Sequence, residues 1–295
     1  MRAAFFLLLA ATLSAQPRLD NVLGKMVPPG ATSLVGAHMD LIKQASMYQK
    51  LLAVQGLSQL DQFARETGFD PRRDVREILF VTEAQGSVLL ARGSFHVNPA
   101  VMKNSTRTRV GQYDIWGQGE DGFCILDPTL AAAGNIPAIR ETLTEWTSGP
   151  HTAAQHLLSY ASAVNPQYQI WGVSTGTGNF LADHPPAANS GLDFSAIFRS
   201  LQDYWFQADF STGMKAEIHA TTHTEKDAMN IRDAARGLIG LGRLNTPDNQ
   251  SDLLKIWDGI SVDQQGRSVS ISADVTQDLV DRLVQLLNPP ARPRK

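Results

Sequence analysis

The chain has 295 residues, of which 43% are hydrophobic, 19% charged and 7% aromatic. That balance supplies one large core or two modest ones and excludes a disordered polymer. The formal charge of −3 gives no electrostatic case for nucleic acid, and the single cysteine, Cys124, excludes an internal disulfide.

Met1-Arg2 is a short positive start, residues 3–13 are apolar, and Leu13-Ser14-Ala15 forms a cleavage site before Gln16-Pro17. This pattern predicts a signal peptide over 1–15 and a product exported to the periplasm or secreted. Loss of Arg2 with it leaves 25 basic against 29 acidic residues. The apolar stretch is too short to span a bilayer and no later run reaches about 18 residues, so no transmembrane span is expected in the mature chain. No cysteine follows the cleavage site to take a lipid.

In chain order, alternation and β-branched content predict strands over 31–39, 77–82, 87–95, 107–116, 123–126, 168–174, 204–210 and 214–222, and a hairpin that joins 259–263 to 268–275. Apolar residues at three- and four-residue spacing predict helices over 40–52, 58–67, 136–146, 152–163, 194–201, 225–244, 251–257 and 277–287. Thr224 followed by Asp227 marks a helix start, and Ala228, Ile231, Ala235 and Leu238 form its apolar stripe. The fold class expected is α+β, with mainly antiparallel sheet and helices packed on one face. Both halves show a similar ββα-rich order, which suggests two lobes over 17–165 and 166–288, joined near Gly149-Pro150 and Asn165-Pro166, with a disordered tail over 289–295.

Three phrases carry a resemblance: Thr67-Gly68-Phe69-Asp70-Pro71-Arg72-Arg73-Asp74-Val75, Val88-Leu89-Leu90-Ala91-Arg92-Gly93-Ser94-Phe95 and Ala131-Ala132-Ala133-Gly134-Asn135-Ile136-Pro137-Ala138-Ile139-Arg140. They resemble an uncharacterised family of exported bacterial α+β proteins, a domain of unknown function. The resemblance implies fold and address and no catalytic residues.

Gly172-Val173-Ser174-Thr175-Gly176 matches the G-x-S-x-G nucleophile elbow, and an aspartate at 203 or 209 followed by His219 or His223 keeps the order Ser, Asp, His. Yet the glycines and prolines after Ser174 do not support the helix that an elbow needs, and the ββα pattern is not that of such a hydrolase. Gly176-Thr177-Gly178 lacks the third glycine of a dinucleotide loop, because position 181 is leucine. His219 and His223 are four apart, a zinc spacing on a helix, but their segment alternates like a strand and would separate them by about 13 Å. No cofactor and no metal ligand set is read from the residues. The expectation is a non-catalytic protein that binds an envelope protein, a peptide or a small ligand, with a serine hydrolase using Ser174 as the alternative.

Overall fold

The computed structural model describes residues 19–54, 61–62, 64–65, 69–96, 105–148, 154–165, 167–175 and 194–287. The strands are β1 (Ser33–His38), β2 (Val75–Glu83), β3 (Gly86–Gly93), β4 (Thr106–Val110), β5 (Tyr113–Gln118), β6 (Asp121–Asp127), β7 (Leu130–Asn135), β8 (Ile170–Thr175), β9 (Leu201–Asp209), β10 (Met214–Thr222), β11 (Ile260–Gln265) and β12 (Ser268–Val275). The helices are α1 (Asn21–Lys25), α2 (Met39–Ile42), α3 (Ser46–Val54), α4 (Pro71–Asp74), α5 (Ile136–Ser148), α6 (Gln155–Ala163), α7 (Phe194–Ser200), α8 (Glu225–Leu244), α9 (Leu254–Asp258) and α10 (Gln277–Leu287). Residues 58–67, expected as a helix, lie mainly outside the described residues, as do the signal segment 1–15 and the tail 289–295.

All twelve strands form one sheet, in the order β11-β12-β10-β9-β8-β1-β2-β3-β7-β6-β5-β4. Its ladders are antiparallel throughout, as expected for an α+β protein built from short-looped strands. The run 107–116 divides into β4 and β5 because Gly111, at φ +58°, turns the chain where a strand would have to continue. β7 was not anticipated; the alanines 131–133 are extended between β3 and β6.

The two expected lobes share this sheet. In the first half the strands run β1-β2-β3-β7-β6, and in the second half they run β8-β9-β10-β12-β11. The order is the same, and β1 meets β8 antiparallel, with Ser33 opposite Ser174 and Ala37 opposite Ile170. The β1–β8 ladder is thus the seam between the halves. At the seam Trp171 lies against Gly36, where an added Cβ would meet the indole at 2.2 Å, so only glycine leaves room for the buried ring.

The helices pack their apolar sides on the sheet, the long ones on different faces in the two halves, while Met39 of α2 packs on the second face within the first half. On the first face, Leu34, Leu79, Val81, Val88 and Leu90 are fully buried under Ala138, Ile139 and Leu143 of α5 and Leu157 of α6. On the second face, α8 lays Ala228, Ile231, Ala235 and Ile239 on Val262, Val269 and Ile271 of β11 and β12.

Candidate functional site

Side chains directly opposite each other in an antiparallel ladder share a face, so the register sorts the second half residue by residue. On the first face β9 presents Asp203, Trp205 and Gln207, and β10 presents Thr221, His219 and Glu217 opposite them. β12 continues these rows with Ser268, Ser270 and Ser272, and β11 ends them with Gln265, Asp263 and Ser261. This is the face that α5 covers in the first half. On this one face the row Leu79, Leu90, Ala132 and Cys124 crosses β2, β3, β7 and β6, and the row Trp205, His219, Ser270 and Asp263 crosses β9, β10, β12 and β11. An apolar surface buried under a helix in one half thus gives way to a mostly polar one in the other, exposed along β11 and at Ser268 and Ser272 among the described residues.

Among the described residues no helix takes the place of α5 there. α10 follows β12 as α5 follows β7, but it is held elsewhere: Asp281 pairs with Lys50 of α3, and Arg282 pairs with Asp252 at 2.9 Å. Ser261, Asp263, Gln265, Ser268 and Ser272 are left exposed.

The polar surface is concave, with a volume of about 630 Å³. Trp205 and His219 form one wall as a stacked pair, centroids 4.0 Å apart and planes at 19°. Trp205 rests in turn against the main core, which fixes the stack. Tyr160 of α6 lines the same hollow and is 38% exposed. Asp203 and Asp263 are its charged lining groups, with no lysine or arginine among the residues that line it. Below this hollow Glu217 is engaged, accepting from Tyr168 Oη at 3.3 Å and Gln207 Nε2 at 2.8 Å. Burial, with the Glu217 carboxylate beside it, raises the Tyr168 phenol above its ordinary value.

The elbow that the alternative hydrolase reading needs at Ser174 is not formed. Ser174 belongs to β8 and is laddered on both sides, to Ser33 and to Tyr204. It is 1% exposed, and its hydroxyl donates to the Thr32 carbonyl at 3.4 Å. A nucleophile elbow requires a sharp, strained turn, whereas no non-glycine residue among those described has a positive φ. Nor do the partners converge. Ser174 shares its row with Tyr204 and Ala220, whereas His219 shares the opposite face with Trp205 and Val173. Gly176 and Gly178 lie outside the described residues.

His219 is on β10, so the alternation that placed it in a strand holds. His223 lies beyond the strand end, its backbone N–H bonded to Ser200 O at 3.1 Å. Among the described residues no three of His, Cys, Asp and Glu converge. Trp205, Tyr160, Asp263 and Ser270 were not anticipated as a group. The available signal was the polar alternation of β10, β11 and β12, set against the apolar strands of the first half.

No family model matches the chain, and no curated protein matches it. Among solved structures, crystal form III of TP0453 is similar with a TM-score of 0.50 at 9% identity, covering 90% of this chain and 97% of that one. Crystal form I of the same protein gives a TM-score of 0.45 at 8% identity and crystal form IV 0.45 at 9%. The likeness to form III is one of fold. Among the described residues no helix is long and apolar enough to cross a membrane.

Proposed function

We propose that this chain is an exported, non-catalytic binding protein whose ligand seat is the open polar face of β9, β10, β12 and β11. One observation carries the reading: the halves share a strand order, yet the rows buried under α5 in one are replaced in the other by rows of mostly polar side chains, exposed at Ser261, Asp263, Gln265, Ser268 and Ser272, that no described helix covers. Leaving a sheet face bare next to a stacked aromatic pair gives up apolar burial worth roughly 25 cal/mol per Å². A concave surface with a few convergent polar groups and aromatic walls is the ordinary form of a small-ligand seat. Export is supported by the Met1–Ala15 segment and by the three phrases that resemble those of exported bacterial proteins.

The test is native mass spectrometry of the purified protein after incubation with a small-molecule extract of a bacterial envelope. The expected result is a bound species that is lost in His219→Ala at unchanged thermal stability. Absence of any adduct, or an adduct indifferent to His219, overturns the seat. A fluorophosphonate probe serves as the catalytic control: Ser174 stays unlabelled, and labelling abolished by Ser174→Ala would make the protein a hydrolase.

A further inference from the structure

The ligand's chemistry is legible from the charges and spacings of that face, and its assignment rests on the reading of the face as a ligand seat. Asp203 and Asp263 line the hollow, no lysine or arginine lines it, and neither carboxylate forms a hydrogen bond or ion pair within the described structure. The local field therefore favours a cation and opposes phosphate or carboxylate ligands.

The two carboxylates lie at opposite ends. Asp203 is on β9 and Asp263 on β11, three strands across and one same-face row apart. At about 4.8 Å between strands and about 7 Å between rows, their backbones are roughly 16 Å apart. A single compact cation reaches one of them only. Between the ends the floor is made of neutral hydroxyls: Thr221 beside Asp203, then Ser268 and Ser270 on β12, then Asp263. Ammonium groups have N–H donors and no acceptor, so a floor of hydroxyl oxygens suits a chain of secondary ammoniums. The stacked Trp205–His219 pair and the Tyr160 ring supply flat walls for methylene groups, and the Tyr160 ring face attracts cations.

We propose that the face binds a linear polyamine of spermine length, with its terminal ammoniums at Asp203 and Asp263 and its inner amines over Thr221, Ser268 and Ser270. The hollow is open, with Asp263 exposed and Asp203 half-buried, so each carboxylate contributes modestly and the affinity depends on salt.

Isothermal titration of the full mature chain with spermine, with putrescine and with maltohexaose, each at low and at physiological NaCl, tests this. Spermine is expected to bind at least about tenfold more tightly than putrescine, which is too short to reach both ends, and to weaken as salt is added. Asp203→Asn and Asp263→Asn are nearly isosteric changes of solvent-facing groups; each is expected to weaken spermine about fivefold, with unchanged thermal unfolding. Absence of spermine binding, equal affinity for putrescine, or indifference to both substitutions overturns the polyamine. So does maltohexaose binding with spermine excluded, which would make the ligand a saccharide. An envelope adduct that still depends on His219 while spermine fails would sink the polyamine and keep the seat; loss of both would sink both.

Discussion

Glu83 ends β2 under α5, 6% exposed, and neither of its carboxylate oxygens has a hydrogen-bond partner. Burial pushes its pKa up to about 8, and the neighbouring Glu141 and Glu145 carboxylates add to the shift. Glu77, on the same strand, is raised to about 7, again first by burial. In the unfolded chain a glutamate releases its proton near pH 4.5, whereas in the fold Glu83 keeps it to about pH 8. The folded state thus holds more protons across this window, and stability falls as pH rises through it. Glu83→Gln removes that cost. Urea unfolding should show the variant more stable than the parent at pH 8 by on the order of 2 kcal/mol, and nearly equal to it at pH 4.5. Equal changes at both pH values would mean that the carboxyl's charge state does not matter to the fold.

α8 shows how much of an element is written locally. Thr224 accepts from the Asp227 backbone N–H at 3.2 Å and donates to the Asp227 carboxylate at 2.7 Å, closing the first turn of a 20-residue helix. Thr224→Ala should cost about 1 kcal/mol in chemical denaturation while Thr224→Ser costs little, and equal losses would mean that the hydroxyl is not the cap. This cap and most of the apolar stripe at Ala228, Ile231 and Ala235 were legible in the sequence because both signals lie within one helix. β7 was not, because Leu130-Ala131-Ala132-Ala133 has helix-forming composition and owes its extended form to β3 and β6 on either side. The same difference governs the site. Alternation alone put His219 on a strand, but its stack with Trp205 and its row with Ser270 and Asp263 depend on register between strands distant in sequence. The G-x-S-x-G match at Ser174 shows the converse. The five-residue match is local, whereas its burial depends on β1 and β9.

For the whole molecule the question is whether the halves are separable. The expected boundary at 165/166 lies in a connection, yet the sheet runs straight through it by the β1–β8 ladder. Separating 17–165 from 166–288 would open two central strand edges at once, both long enough to pair wrongly. It would also expose Trp171, which is fully buried and seated in the space that Gly36 leaves on the other half. Burial of a side chain of that size is worth roughly 3 kcal/mol, and five cross-seam residue pairs add their backbone bonds, against a total stability of about 5–15 kcal/mol for an ordinary domain. Each half expressed alone should therefore lack a cooperative thermal transition or aggregate, whereas co-expression should return a 1:1 complex with a buried, blue-shifted Trp171 emission. In that complex Gly36→Ala should weaken reassembly, since the added Cβ occupies the indole's place. A half that is monomeric and unfolds cooperatively by itself would show instead that the seam joins two independent domains.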